Sequence, residues 1–227
     1  MVSMSILLPL VLVAWVSGSL SVPAQPAEPA SDSVRVGTIE GRLEMRPTPA
    51  RRRVDRYLGA AGHAPSTVQP IAPVVFLRGR FPGITAPAGR IRLEQRDTTF
   101  TPAVVIVGVG GTVEFPNGDP FFHNVFSYSP AQRFDLGRYP QGESKAVRFD
   151  DPGIVRIYCE VHDTMRSAVI VVENPFHAIV DDQGAFVIRD VPAGRWELEV
   201  WHPDLEGGVR TITVEAGQTT RLSIPLQ

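Results

Sequence analysis

Short runs of β-branched and aromatic residues recur along this chain, and no stretch sustains a 3.6-residue apolar period. The runs include PVVFLRG (73–79), AVVIVGVG (103–110), GTVEF (111–115), GIVRIYC (153–159), SAVIVVE (167–173), AFVIRD (185–190), RWELEVW (195–201), VRTITVE (209–215) and TTRLSIP (219–225). Turn signals separate them: NGD (117–119), DPG (151–153), DDQG (181–184), PAG (192–194), EGG (206–208) and EAGQ (215–218). This spacing predicts an all-β protein of the sandwich type. In RWELEVW the alternation is strict, with Trp196, Leu198 and Val200 on one face and Arg195, Glu197 and Glu199 on the other. The first set predicts a core face and the second a wet one. Composition points the same way: 20 Gly and 21 Pro in 227 residues exceed the ordinary combined share of about 12%. Many turns and few helices follow.

The pattern divides the chain into blocks. Residues 6–16, ILLPLVLVAWV, are apolar but too short to span a bilayer. Small residues and a Pro/Ala-rich stretch follow, so 1–24 reads as a signal peptide, with cleavage after Ser21 or Ala24. Its first residues carry no Lys or Arg, which leaves an uncleaved N-terminal anchor as the other reading and the only expected tie to a membrane. A periplasmic or secreted protein is expected. Residues 35–45 read as a strand, 46–72 as a long exposed loop rich in Pro, Ala and Arg, and 73–79 as a second strand. The RRR run at 51–53 reads as a solvated charge cluster, with an acidic partner or anionic lipid as the alternative. Two further blocks occupy 91–173 and 176–227. A formal charge of −2 gives no electrostatic case for nucleic acid.

Candidate chemistry concentrates in the middle block. YCEVHDTM (158–165) sets Cys159, His162 and Met165 in a Cys-x2-His-x2-Met spacing, and FFHNVFS (121–127) places His123 and Asn124 inside an apolar run. Two imidazoles, a thiolate and a thioether are the donor set of a mononuclear electron-transfer copper site, with the Met sulfur as weak axial ligand. Zinc suits Cys and His but not a thioether. Cys159 is the chain's one cysteine, so an exported protein could not shelter it in an internal disulfide, whereas metal ligation would. A buried inert thiol is the plain alternative. Asn124 is a candidate support, its amide tying the His123 segment to the backbone around Cys159. Phe121, Phe122 and Phe126 are expected to bury the site, with His162 the ligand nearest the surface. His63, His177 and His202 read as solvated, strand-edge or turn histidines, and Asp150, Asp151, Asp181 and Asp182 as turn formers. Glu160 is expected to point away from Cys159. No Ser/His/Asp set, P-loop or dinucleotide fingerprint is present.

The pattern V-x-F-x-N-x-D…HNVFS…YCEVHDTM resembles the cupredoxin family of plastocyanin- and amicyanin-like blue copper proteins, and the short Cys-x2-His-x2-Met loop is similar to amicyanin's. The resemblance covers 91–173 and implies a Greek-key β-sandwich in which His123, Cys159, His162 and Met165 hold one copper ion. Residues 176–227, with Asp182-Gln183-Gly184, Phe186 and Val191-Pro192-Ala193-Gly194, resemble the carboxypeptidase regulatory-like (transthyretin-like) β-sandwich. Its opening strands look like those in 35–80, which implies a cupredoxin unit inserted into the regulatory-like sandwich. The whole resembles exported bacterial proteins of methylamine-utilisation or plastocyanin-like type. The expected function is a one-electron carrier cycling Cu(II)/Cu(I) with a redox protein partner, and not an enzyme. The alternative is a copper-binding carrier or accessory module without an electron-transfer role.

Overall fold

The structure, a computed structural model, describes residues 35–45 and 69–226. The 1–24 segment and most of the 46–72 loop lie outside the described residues. Seventeen strands and no α-helix make up the described chain. In order they are β1 (Val36–Met45), β2 (Val74–Leu77), β3 (Arg90–Arg92), β4 (Glu94–Arg96), β5 (Thr99–Thr101), β6 (Val104–Gly108), β7 (Gly111–Pro116), β8 (His123–Ser129) and β9 (Gln132–Tyr139). There follow β10 (Ser144–Phe149), β11 (Gly153–Tyr158), β12 (Arg166–Val172), β13 (His177–Ile179), β14 (Ala185–Pro192), β15 (Gly194–Trp201), β16 (Gly208–Val214) and β17 (Thr219–Leu226).

Fifteen of these strands build two sandwiches, and β4 and β5 pair as a separate two-stranded sheet. In one, a five-stranded sheet ordered β6-β12-β11-β8-β9 faces a three-stranded sheet ordered β10-β7-β3. Their inner faces share a core that includes Val105, Val113, Phe115, Val125, Phe149, Val155, Ile157, Val169 and Val171. In the other, sheet β13-β2-β15-β16 faces sheet β14-β1-β17, around Ile39, Leu43, Val75, Leu77, Phe186, Leu198, Val200 and Ile224. Here β1 pairs antiparallel with β14 and parallel with β17, so the strand near residue 40 is closed by strands far along the chain. The alternation read in β15 has its physical outcome: Leu198 and Val200 are buried, and Trp196 packs on the same core.

A third apolar layer joins the sandwiches. Val104 of β6 and Ala168, Ile170 and Val172 of β12 pack with Val74 and Phe76 of β2 and Trp201 of β15. The neighbouring residues on these strands, Val105, Val169, Val171, Val75 and Leu77, point the opposite way into the two sandwich cores. This explains why 74–77 and 168–172 are uninterrupted apolar runs: strands covered on both faces have no wet face to alternate with. The four sheets therefore stack as successive layers. Ile170→Ala is expected to cost about 2–5 kcal/mol, the range for emptying a packed aliphatic site, as a lowered urea midpoint.

Candidate metal centre

The centre grows from the end of the five-stranded sheet. Strands β11 and β12 pair from Gly153–Val171 to Tyr158–Arg166, and the loop between them carries Cys159, His162 and Met165. Two backbone bonds fold this loop on itself: Cys159 N–H donates to Met165 O (3.4 Å) and Met165 N–H to His162 O (3.1 Å). Cys159 and Met165 are 4% and 1% exposed and sit in the sandwich core, while His162 is only partly buried.

His123 opens β8, beside β11. Its ring is fully buried, and Asn124 and Val125 after it are buried as well. His123, Val125 and Ser127 are the buried residues of one alternating face, and Asn124 is buried on the other. The β8–β9 pairing shifts register between Asn124 and Phe126. His123 thus faces the centre and Val125 the core, while Asn124 Oδ1 accepts from Glu160 N–H at 2.7 Å. That bond ties the first histidine's segment to the residue after Cys159.

The structure brings three donors together. His123 Nδ1 lies 3.6 Å from Cys159 Sγ and 3.3 Å from His162 Nδ1, and one donor atom from each residue falls within 4.8 Å of the others. Atoms that each bind one ion at roughly 2.0–2.3 Å have separations of this size. The donor set therefore fits a soft, imidazole-tolerant metal on both distance and chemistry. Met165 enters the same core from the end of the same loop. His63 lies outside the described residues. His177 is half-buried on β13, and His202 Nδ1 accepts from Asp204 N–H in a turn, so neither joins the cluster. Asp181 Oδ1 accepts from the amides of Gln183 and Ala185, the bonding of a turn former. Glu160 is turned to Arg138, 2.7 Å away.

Asp119 is a functional residue that the sequence reading missed. Its Oδ2 lies 2.8 Å from His123 Nε2, and its carboxylate also accepts from Asp97 N–H (2.7 Å) and Thr98 N–H (3.0 Å). Burial pushes this carboxyl up, but the bonds from Thr98, His123 and Asp97 together outweigh it, and the net shift is downward. An ionised Asp119 makes Nε2 the protonated ring nitrogen, which leaves the Nδ1 lone pair aimed at the cluster. Asp97 and Thr98 both adopt positive φ (53° and 57°), and their turn joins β4 to β5. A non-glycine pair in that conformation is strained, and here it points both amides at Asp119. Asn117 completes the support: its Nδ2 donates to Phe121 O and Tyr139 O, and its Oδ1 accepts from Asp119 N–H. The signal in the sequence was the turn tripeptide NGD placed four residues before a histidine.

The aromatic cover differs from the expected one. Phe121 and Phe122 are 40% and 55% exposed, and Phe126 is partly buried against Tyr128 and Tyr158. The burial of His123 comes instead from the sheet interior. Phe121 nevertheless lies beside the cluster, its ring centre 5.1 Å from that of His123 and 5.5 Å from that of His162. Phe122, next to it in sequence, and Val161, next to the partly buried His162, are exposed as well. Partial burial, followed by the nearby His123, holds the His162 imidazole below its ordinary pKa despite Asp119 and Asp163. Its neutral, ligating form is favoured accordingly.

The family described as polysaccharide lyase family 4, domain II, matches residues 168–222, a different domain from the regulatory-like one that the motifs of 176–227 resemble. Among curated proteins, none matches this chain. Solved structures similar to it include a copper-containing nitrite reductase from Thermus scotoductus SA-01, at 25% identity over 37% of this chain and 22% of that one, with a TM-score of 0.36. The chain thus spans about a fifth of that enzyme's length. A purple cupredoxin from Nitrosopumilus maritimus is 22% identical over 36% of this chain and 98% of its own, with a TM-score of 0.34. Amicyanin from Paracoccus versutus is 22% identical over 43% of this chain and 96% of its own, also at 0.34.

Proposed function

We propose that this protein is an exported one-electron carrier with a single mononuclear copper site, held by His123, Cys159, His162 and Met165. The observation that carries the reading is the convergence of His123, Cys159 and His162 on one point, with Met165 closing the same loop. A copper ion bound there would supply a Cu(II)/Cu(I) couple. The chain's own residues do the rest. Asp119 holds the proton on His123 Nε2 and fixes the ring. Asn124 and the two loop backbone bonds fix Cys159 and Met165, so the ligands have little room to move between redox states. The sandwich core around Cys159 and Met165 excludes water and lowers the local dielectric.

The burial of Cys159 and Met165 argues against the alternative of a metal-delivery module, because handing on a metal needs accessible ligands. No substrate is turned over in this reading. A periplasmic or secreted location rests on the apolar 6–16 run and the Pro/Ala-rich stretch after it. The motif resemblance of 176–227 supports a regulatory-like sandwich into which the copper-holding unit is inserted, and the pairing of β1 with both β14 and β17 is compatible with that order. Titrating the metal-free protein with Cu(II) tests the central reading. An intense visible thiolate-to-copper band saturating at one ion per chain is expected, and a weak spectrum without that band would sink it.

Met165→Gln is expected to keep copper and lower the reduction potential, since a harder amide oxygen favours Cu(II) over Cu(I). Protein-film voltammetry on the two proteins decides this, and equal potentials would remove Met165 from the ligand set. Exposed Phe121, its ring 5.5 Å from that of His162, suits brief, low-area docking by a redox partner. Phe121→Lys is expected to slow electron self-exchange without changing the copper spectrum, while Val187→Lys on the other sandwich leaves it nearly unchanged. Equal slowing by both substitutions would move the docking surface elsewhere.

A further inference from the structure

Among the described residues, one ion pair links the second sandwich to the strand residue that follows the loop of proposed ligands. Arg166 follows Met165 directly and opens β12. Met165 points into the first sandwich's core, and Arg166 reaches out to Asp204, in the loop between β15 and β16 of the other sandwich. The contact is a two-pronged ion pair: Nη1 donates to Oδ1 at 2.8 Å and Nη2 to Oδ2 at 2.6 Å. Such a fork fixes orientation as well as distance. Asp204 is itself held, because its backbone N–H donates to His202 Nδ1 (3.1 Å) and nearby Trp201 is buried in the layer between the sandwiches.

The pair's location matters more than its contribution to stability. Arg166 Nε is buried and has no hydrogen-bond partner among the described residues, a cost that offsets part of the gain from the fork. Arg166 pairs with Tyr158 in the β11–β12 ladder, the last rung before the loop. The fork therefore grips the base of the Cys159–Met165 loop from outside, while the sandwich core grips Met165 from inside.

We propose that Arg166 and Asp204 are positioning residues for Met165, so that the second sandwich helps fix where this residue of the proposed metal centre is held. This rests on the copper reading above. It gives the second sandwich a function beyond covering a sheet face: it restrains the base of the loop that ends in Met165. Removing the fork without changing net charge loosens the loop's base and leaves the donors themselves in place.

The experiment is a double-mutant cycle on the full chain. The charge-neutral pair Arg166→Gln/Asp204→Asn is made in the parent and in a Met165→Leu background, and potentials and electron-spin-resonance spectra are recorded with copper bound. With Met165 present, the pair of substitutions is expected to shift the potential and alter the copper hyperfine splitting. In the Met165→Leu background, both are expected to stay where that single substitution put them. In the metal-free protein, the pair is expected to speed exchange of the Met165 amide several-fold while amides in β14 and β17 are unaffected. An equal shift in both backgrounds would assign the effect to electrostatics or general loosening and overturn the proposal. So would a blue parent protein whose potential and amide exchange ignore the substitutions. A parent without the thiolate-to-copper band would instead overturn the copper reading, and the positioning role with it.

Discussion

Cys159→Ser is expected to abolish the thiolate-to-copper colour completely, even where some copper still binds. Cys159 is the chain's one thiol, so no second thiolate can take over the charge-transfer role. A serine hydroxyl is a hard donor of similar shape and cannot supply the soft, covalent bond that distinguishes this ligand set. The fold should survive, because the side chain is small and the backbone bond from Cys159 N–H to Met165 O does not involve sulfur. Visible absorption together with far-ultraviolet circular dichroism makes the comparison. A serine variant with the parent's full band would show that Cys159 is not a ligand.

Asp119→Ala should have the second-largest effect, on metal affinity and stability together. The substitution strips the acceptor from His123 Nε2–H and from the amides of Asp97 and Thr98 in one stroke. Each buried donor left without a partner costs about 1–3 kcal/mol, and water can reach some of them once the carboxylate is gone. A net loss of about 2–4 kcal/mol is expected in urea unfolding. Without the carboxylate, His123 is free to place its proton on Nδ1, the nitrogen that faces Cys159 and His162. Copper affinity is expected to fall about 10–100-fold, the range for losing an outer partner of a ligating histidine. Asp119→Asn separates the two effects: the amide oxygen can still accept one bond, so stability should recover more than affinity. Unchanged affinity in both variants would reduce Asp119 to a purely structural role.

Much of this architecture was legible in the chain because strand signals and ligand spacing are local. Alternation in residues 195–201 named the face that Leu198 and Val200 bury. Cys159, His162 and Met165 lie within seven residues, and a loop that short between paired strands leaves little freedom in where they sit. Asn124 was readable because it adjoins a candidate ligand. What escaped depended on long-range register. The turn at Asp97 and Thr98 reaches Asp119 across more than twenty residues, and neither residue advertises positive φ as a glycine would. The irregularity at Asn124 and Phe126 follows from how β9 pairs, which the sequence of β8 alone does not reveal. The aromatic pair Phe121 and Phe122 looked like a lid, yet the turn around Asn117 carries it outward. The unbroken apolar runs of β2 and β12 did carry a signal, that of burial on both faces, and it marked the layer joining the sandwiches.

The electron-carrier role proposed above is best served by ligands that hardly move between redox states, and rigidity at the Cys159–Met165 loop has several independent sources. The sheet ladder fixes Tyr158 and Arg166, the loop bonds fix Cys159 and Met165, and Asn124 and Asp119 fix the His123 segment. X-ray absorption at the copper edge, on the same protein oxidised and then reduced, tests this account most directly. The account predicts one short sulfur and two imidazole nitrogens around copper in both states, with nearly unchanged distances. A shell of nitrogen and oxygen alone, or one that gains or loses a ligand on reduction, would contradict it.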